Sequence, residues 1–366
     1  MPSIVEYYGS AQEFLTEGAE DEAAAPVIPG GTDQVASGPV LSPSYLFNSD
    51  GSNATVYGPL PGSPTGIFLQ NAAACIAAPS SCPYSGAELQ NFLAGNLPAD
   101  APVFFTTGGV FGRLSIPGNL TYSQPGTGGA SLAAALLFSG SGFAIKNYLT
   151  AFDAASGASM PGFAQQIQGL AFLSSPIVAD VSGDGQPDLV VGSDSSALMA
   201  YQAGGAMPGG FPKFTTGWAV WAPSAGDLLS DGHTQIVQLT REGYVFAWQT
   251  AGTYSGDQEW WAAHHDEWRT GRYGVDSRPP GAIRNARLSG SKLTFTAPGG
   301  DWYDGQAAGY RVSFSSQTIP ATVPAGSPQS ITVPAGVTSF TIQAVDQAGN
   351  LGPALAVSKS GGGHGG

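Results

Sequence analysis

The stretch FLSSPIVADVSGDGQPDLVVGSDSSALMAY, residues 172–201, recurs as AVWAPSAGDLLSDGHTQIVQLTREGYVFAW at residues 219–248. The two copies align without a gap at a spacing of 47 residues. Matching anchor residues recur along the alignment: Pro176 with Pro223, Asp180 with Asp227, Asp184-Gly185 with Asp231-Gly232, and Tyr201 with Trp248. A repeat of this length that contains several short strands is typical of a propeller blade.

A weaker third copy precedes these two. LTAFDAASGASMPGF (149–163) matches LMAYQAGGAMPGGF (198–211), and the same slot recurs as VFAWQTAG (245–252). We therefore predict an all-β fold, with a partial or complete β-propeller over 41–276 and clear blades at about 145–276. Since a closed propeller takes at least four blades, we expect a neighbouring region or another chain to complete it.

The flanking regions differ in composition. Residues 1–40 are small and acidic, and we interpret them as an extended arm or linker. After a Pro-Pro boundary, KLTFTAP, GYRVSFSS, QSITVP and TSFTIQAVDQAGNLGP follow at a spacing that predicts a small β-sandwich over 279–358. The Gly-rich tail 359–366 is predicted to be disordered.

Composition excludes some classes of partner. The chain has 366 residues and a formal net charge of −14, with no cluster of Lys and Arg. An acidic surface repels phosphate backbones, so nucleic-acid binding is not expected. No apolar run approaches the 18 residues or so that span a bilayer. The start of the chain lacks the pattern of a secretory signal, and we expect the sequence to be the C-terminal part of a longer polypeptide.

The first clear copy contains an acidic loop, DVSGDGQPD, at residues 180–188. Side-chain oxygens fall at positions 1, 3, 5 and 9 of this loop, and Gly185 at position 6 permits a sharp turn. The carbonyl of position 7 completes the set, which is Asp180, Ser182, Asp184, Gln186 (backbone) and Asp188. Ca²⁺ prefers six to eight oxygen ligands, so this loop is a candidate calcium site. The alternative is an Asp/Gly-rich turn that is satisfied by its own backbone.

The loop differs from an EF-hand, because position 12 is Val191 and the predicted flanking elements are strands. In the second copy of the loop, DLLSDGHTQ at 227–235, two of the four side-chain oxygen positions are degraded. Position 3 has become Leu229 and position 9 has become Gln235. We expect the second loop to keep the turn without the ion.

The chain has two cysteines, Cys75 and Cys82, in the segment CIAAPSSC. A short loop of this kind can close as a disulfide in an oxidising compartment. We predict that bridge, with two free thiols as the alternative.

The segment PIVADVSGDGQPDLVVGS (176–193) resembles the FG-GAP or VCBS repeat of extracellular propellers. The string TREGYVFAWQT and the later EWWAAHHDEWRTGRYGVD resemble the end of such propellers in secreted proteins. There a fibronectin type III or immunoglobulin-like module often follows, and VDQAGNLGP resembles its last strand. The resemblance is good over about 145–276 and very weak before 130. It implies a calcium-stabilised propeller with adhesive or scaffolding roles and maps the family's calcium ligands onto the five residues of the 180–188 loop.

Other residues invite a chemical interpretation. His264 and His265 are adjacent, and neighbouring residues in a strand point to opposite faces, so they are not expected to share one metal ion. We interpret them, with the surrounding Trp and Arg residues, as a strip that seals the last blade. Ser159 lies in a blade-end turn without a matching His or Asp motif, and no other catalytic motif is present.

The function expected from these patterns is that of a secreted or cell-surface, calcium-binding structural or adhesion protein, part of a larger extracellular assembly and not an enzyme. Its partners would be other protein chains, through self-association or docking. Two alternatives stay open. The chain could be an accessory region of a secreted hydrolase, or a carbohydrate-binding module that uses Trp218, Trp221 and Trp302 on glycans.

Overall fold

The computed structural model describes residues 23–28, 32–37, 44–50, 52–57, 109–114, 120–127, 147–169, 171, 174–229, 231–253 and 260–359. Within these ranges the regular elements are β-strands, which form six small antiparallel sheets. The described residues include no helix long and apolar enough to cross a membrane. The predicted all-β class is confirmed.

Four sheets are built in the same way, from consecutive strands that each pair with the next along the chain. The first sheet holds β1 (Ala23–Ala25), β2 (Gln34–Ser37), β3 (Ser44–Phe47) and β4 (Asn53–Tyr57). The second holds β5 (Val110–Gly112), β6 (Thr121–Thr127), β7 (Asn147–Asp153) and β8 (Gln165–Ile167). The third holds β9 (Ile177–Ala179), β10 (Asp188–Ser193), β11 (Ala197–Tyr201) and β12 (Lys213–Phe214). The fourth holds β13 (Ser224–Gly226), β14 (His233–Leu239) and β15 (Val245–Thr253).

The third and fourth sheets contain the two clear copies of the repeat, and their first two strands pair in the same register. Three matched pairs of opposing residues show it: Ala179–Asp188 with Gly226–Gln235, Val178–Leu189 with Ala225–Ile236, and Ile177–Val190 with Ser224–Val237. Each pair recurs 47 residues later. The sequence repeat is therefore a repeat of structure, down to individual residue pairs.

The weak third copy is the end of the second sheet. Leu149 of β7 lies opposite Gln165 of β8, as Leu198 of β11 lies opposite Lys213 of β12. The other neighbour of β7 in the sheet is β6. The segment SLAAALLFSGSG (131–142), which the sequence suggested as the preceding strand, lies outside the described residues.

The first strands of the four sheets are neighbours. β1 packs beside β5, β5 beside β9, and β9 beside β13. The approach is close where β5 meets β9, because a Cβ at Gly112 would lie 2.7 Å from a methyl carbon of Val178. Buried side chains of the first three sheets, including Leu46, Phe111 and Leu189, form one core.

Residues 260–273 join three of these sheets through their first strands. Trp260 exchanges two backbone hydrogen bonds with Val178 of β9, and the Trp261 carbonyl accepts from Ala225 of β13. Further along, the Gly271 carbonyl accepts from Ala24 of β1. The strip that the sequence assigned to the last blade therefore contacts the first, third and fourth sheets.

The predicted arm over 1–40 needs correction in its described part. β1 and β2 lie inside that range and pair with each other, and β2 pairs with β3 across the predicted boundary. Ala23 and Ala25 are buried in the core. Alanine has a low preference for strands, so the sequence pattern did not reveal β1.

The described residues form two compact units. The first holds those up to Gly226 together with 235–252 and 260–274. The second holds the loop from Asp227 to Thr234 and the residues from Val275 onward, with Thr253. Each unit has a hydrophobic core of its own.

The second unit contains the remaining two sheets. The fifth sheet holds β16 (Arg284–Ser289), β17 (Lys292–Thr296) and β20 (Pro328–Thr332). The sixth sheet holds β18 (Gly309–Val312), β19 (Ile319–Pro320), β21 (Ser339–Val345) and β22 (Leu355–Ser358). They share one core, in which the Phe295 and Tyr310 rings meet edge to face at 4.9 Å. All four strand runs predicted over 279–358 contain strands. Residues 360–366 of the predicted tail lie outside the described residues.

Candidate metal centre

The acidic loop connects β9 to β10 in the third sheet. Asp180 directly follows β9 and is fully buried, with 0% of its surface exposed. Asp188 begins β10 and is 1% exposed. Between them Gly185 adopts φ 77°, a left-handed conformation that glycine allows without a Cβ clash. The strand pairing thus brings the two end carboxylates of the loop close to each other.

Asp180 holds the turn through its carboxylate. Oδ1 accepts a hydrogen bond from the Gly183 amide at 2.8 Å, and Oδ2 accepts one from the Gly185 amide at 3.2 Å. The Ser182 hydroxyl also donates to Oδ1, at 3.5 Å. These bonds satisfy loop amides that would otherwise lack partners.

Asp188 closes the loop from the other end. Its Oδ2 accepts from the amides of Val181 and Ser182, both at 2.9 Å. Burial nevertheless raises the pKa of Asp188 to about 6, and the nearby Asp180 carboxylate adds to the rise. The amide bonds oppose this shift without cancelling it. A positive charge placed near this carboxylate would lower the pKa of Asp188.

The other two predicted ligands, Asp184 and Gln186, form hydrogen bonds away from the two buried carboxylates. Asp184 accepts from the Gln186 amide at 2.8 Å and from the side-chain amide of Gln202 at 3.1 Å. Gln186 donates from its own side chain to the Gly185 carbonyl. Among the described residues, no three His, Cys, Asp or Glu side chains converge in the manner of a metal site. The structure therefore groups Asp180, Ser182 and Asp188 and directs Asp184 to Gln202.

The donor set fits calcium in its chemistry. All five predicted ligands offer oxygen, and a carboxylate has about four lone-pair sites, so those already in hydrogen bonds keep capacity for an ion. Burial, with the Asp180 carboxylate nearby, raises the pKa of Asp188 to about 6, and a bound cation would favour its charged form. An ion bound by all three aspartates would require Asp184 to leave Gln202.

The second loop repeats the turn. Asp227 accepts from the amides of Asp231 at 2.9 Å and Gly232 at 3.0 Å. The bond from position 6 is shared with the first loop, in which Asp180 accepts its other amide bond from position 4. Gly232 adopts φ 79°, matching Gly185. Asp231 accepts from the His233 amide at 3.0 Å.

Among the four positions that carry side-chain ligands in the first loop, the two loops differ at positions 3 and 9. Leu229 presents an apolar side chain that is 66% exposed, where the first loop has the Ser182 hydroxyl. Gln235 donates to the Gln249 side chain at 3.0 Å and offers no carboxylate. The turn has been kept, as the sequence predicted, while the hydroxyl at position 3 and the carboxylate at position 9 have been replaced.

Sequence reasoning missed the role of Gln202. It follows the aromatic anchor Tyr201, and 47 residues later Gln249 follows the anchor Trp248. In the first copy the glutamine binds position 5 of the loop, and in the second it binds position 9. A glutamine repeated at the same place in both copies was the available signal.

The loop is also braced by β15. A Cβ at Gly252 would collide with the Asp180 carbonyl, and one at Gly183 would collide with the Ala251 carbonyl. The backbone of the loop therefore lies directly against the end of β15. Order in the loop supports the packing of the third sheet on the fourth.

Neighbouring side chains in the core hold His265 of the His264–His265 pair in place. His265 is buried, its Nδ1 lies 2.9 Å from Asp266 Oδ2, and the Thr270 hydroxyl donates to the same carboxylate oxygen. The rings of Trp260 and Trp261 each lie 5.1 Å from the imidazole. Both histidines adopt positive φ in a turn, so the strand geometry assumed from the sequence does not apply.

The remaining candidates are placed as follows. Trp221 is 57% exposed, whereas Trp218 lies under Arg241 and Trp302 under Arg278. The Ser159 hydroxyl donates to the Phe163 carbonyl. Cys75 and Cys82 lie outside the described residues, so the disulfide stays a prediction.

Comparison with known proteins identifies no family. No family model matches the chain, and no curated protein matches it. Similar solved structures include BBS1N in complex with ARL6DN, at 9% identity over 94% of this chain and 83% of that chain, with a TM-score of 0.37. BamB from Moraxella catarrhalis matches at 12% identity over 93% of this chain and 86% of its own, with a TM-score of 0.28. At these scores the likenesses carry no argument about function.

Proposed function

We propose that the chain is a calcium-stabilised, non-enzymatic module of a secreted or cell-surface protein, built from FG-GAP-like propeller blades and a fibronectin type III-like sandwich. Its role is adhesion or assembly within a larger extracellular structure. The observation that carries the proposal is the 180–188 loop, in which two buried carboxylates meet at the start of β10.

The bound ion would be held by Asp180, Ser182, Asp184, Asp188 and the Gln186 carbonyl. Calcium would supply the positive charge that the buried carboxylates lack, and so lower the pKa of Asp188. Since the loop backbone lies against Gly252 of β15, a loop held by an ion would also strengthen the contact between the third and fourth sheets.

The packing of the described residues supports an assembly role. The sequence repeats serve to stack sheets through their first strands, and the histidine that invited a chemical role is packed between tryptophan rings. Repeated sheets offer broad surfaces to other chains, whereas a catalytic site needs converging reactive groups.

The test is calcium-dependent stability. Thermal unfolding of the full chain is measured in excess calcium and in chelator. At about 100 times Kd, a ligand specific for the folded state adds roughly 2.7 kcal/mol of stability. We expect this gain in the wild type and its loss in the double variant Ser182→Leu with Asp188→Gln, which gives the first loop the residues of the second at positions 3 and 9.

The matched control is Asp231→Asn in the second loop, which should keep the full calcium effect. A wild-type melting temperature that is the same in calcium and in chelator would refute the proposal. A calcium effect that survives in the double variant would place the ion elsewhere and would refute the site.

A further inference from the structure

Charge is distributed unevenly along the chain. The whole chain has 12 Lys and Arg against 26 Asp and Glu, which gives its formal net charge of −14. Residues 275–359, which hold the fifth and sixth sheets, contain six Lys and Arg and only four Asp, a net charge of +2. The acidity of the chain therefore lies outside this part, and an anionic ligand meets a different electrostatic environment here.

The fifth sheet has one face in the core of the second unit and one face in solvent. Leu293 and Phe295 of β17 are buried in that core, as is Ile331 of β20. Successive residues of a strand point to opposite faces, so the residues between these three lie on the outer face. The Lys and Arg of this sheet are all exposed, and they are Arg284, Arg287 and Lys292.

The strand register brings these three cations into one row. Arg287 lies opposite Thr294 of β17, and Lys292 is two residues from Thr294, a diagonal spacing of about 7–8 Å. Arg284 lies opposite Thr296, on the other side of Thr294. Within the part of the chain that the structure describes, Arg287 and Lys292 have no ion pair. The strands β16, β17 and β20 contain no Asp or Glu, so no residue of the sheet neutralises the row.

One carboxylate of the same compact unit lies near the Arg284 end of the row. The Arg284 guanidinium lies 4.0 Å from the centre of the Tyr303 ring, and both residues line a cavity of about 250 Å³ together with Asp231. An anion at this end would be repelled by Asp231. Arg287 and Lys292 are therefore the stronger anion contacts of the row.

Hydroxyl groups surround the cations on the outer face. Thr294 pairs with Ser330 of β20, and Lys292 lies between Ser289 on one side and Thr332 on the other. The one aromatic residue of these three strands is Phe295, which is buried. Protein partners are usually held by aromatic and apolar anchors, and single-stranded nucleic acids by stacking on aromatic rings. This face instead offers cations separated by hydroxyls that donate and accept hydrogen bonds.

We propose that the outer face of the fifth sheet binds a linear acidic polysaccharide. Arg287 and Lys292 bind its carboxylate or sulfate groups through charge-assisted hydrogen bonds, and the Ser and Thr hydroxyls bind its sugar hydroxyls. The proposal rests on the adhesion role above and names a ligand for it. The acidic remainder of the chain repels the same polymer, which confines the contact to this face.

The size and charge of the face set the strength of binding. Three strands about 4.8 Å apart, with five residues at about 3.3 Å each, give a face of roughly 10 by 16 Å. With the counterion release of a single-stranded polyanion, three cations give a slope of about −2 for the logarithm of the binding constant against that of salt. Binding is therefore weak and strongly dependent on salt.

The experiment is titration calorimetry of the full chain in chelator, at salt concentrations from about 50 to 200 mM. The probes are polygalacturonate, which carries carboxylates, dextran sulfate, which carries sulfates, and uncharged dextran. We expect binding to one or both polyanions and none to dextran. Arg287→Ser and Lys292→Ser should each weaken binding about fivefold, the contribution of one Lys or Arg near an anionic surface, and the double variant about 25-fold.

The matched control is Arg311→Ser, which removes the same charge from an exposed position of β18 in the sixth sheet. It should bind the polyanions like the wild type. Equal weakening in Arg311→Ser would show that overall charge decides the affinity, and it would overturn the site. A wild type that binds neither polyanion overturns the proposal. Oligothymidylate that binds as tightly as the polysaccharides overturns the choice of ligand.

Thermal unfolding of each variant, in calcium and in chelator, separates this proposal from the calcium site. The substituted residues lie outside the 180–188 loop, so every variant should keep the calcium-dependent shift in melting temperature. Loss of polyanion binding with that shift intact affects this proposal alone. Polyanion binding by a wild type without a calcium shift refutes the calcium site alone. The two single variants are independent, so misfolding of one leaves the other decisive.

Discussion

The loops 180–188 and 227–235 have the same turn and different chemistry. In both loops, the aspartate at position 1 accepts a hydrogen bond from the backbone amide of position 6. The aspartate at position 5 accepts one from the amide of position 7. Only the first loop has a hydroxyl at position 3 and a carboxylate at position 9. Positions 1, 5 and 6 therefore maintain the turn, and positions 3 and 9 decide whether the loop offers enough oxygens for an ion.

The largest expected effect comes from removing the first aspartate. Asp180→Ala leaves the amides of Gly183 and Gly185 without an acceptor, and we expect a loss of about 3–5 kcal/mol. Asp227→Ala should cost a similar amount if the turn bonds dominate in both loops. Urea unfolding in chelator measures both free energies, with Asp180→Asn as the control that keeps one of the two acceptor oxygens. A much smaller loss in Asp227→Ala would break the equivalence of the two turns.

The second effect is a pH dependence confined to the first loop. The pKa of Asp188 is about 6 in the folded protein and ordinary in the unfolded chain, so the folded state binds the proton more tightly. Stability in chelator should be greatest below about pH 4 and fall as the pH rises to about 6, by roughly 3 kcal/mol in total.

Asp188→Asn should remove this pH dependence, because the amide oxygen can still accept from Val181 and Ser182 without charge. Saturating calcium should also flatten the profile of the wild type, since the ion stabilises the charged form. Unfolding free energies across pH 4 to 7 provide the measurement. A wild type whose stability in chelator rises over this interval, with Asp188→Asn unchanged, would contradict the prediction.

The smallest effect tests position 6. Gly185 and Gly232 adopt φ 77° and 79°, and a Cβ at either would meet no atom within 4 Å. Gly185→Ala and Gly232→Ala should therefore each cost only the left-handed strain, about 1–2 kcal/mol. Equal losses of unfolding free energy, measured by chemical denaturation, would support the same turn conformation in both loops. A clearly larger loss at Gly185 would show that the first loop is under an additional constraint.

Much of the fold was predictable, because its signals are local. The spacing of 47 residues predicted the matched strand pairs of the third and fourth sheets, and alternating runs predicted the strands of the sandwich. The arm over 1–40 was a wrong prediction in its described part, since β1 consists of three alanines and has no strand pattern. The pairing of Trp260 and Trp261 with β9 and β13 joins residues far apart in sequence, where no local pattern indicates the partner.

For the candidate site, the sequence by itself determined the turn, because an aspartate and a glycine at fixed spacing form it through bonds within nine residues. It also determined that the second loop lacks the hydroxyl at position 3 and the carboxylate at position 9. Only the tertiary structure decided that Asp184 pairs with Gln202, that burial raises the pKa of Asp188, and that β15 is exposed where β11 is covered. Burial and pairing of this kind depend on neighbours that folding brings together from distant positions, whereas turns depend on the few residues that form them.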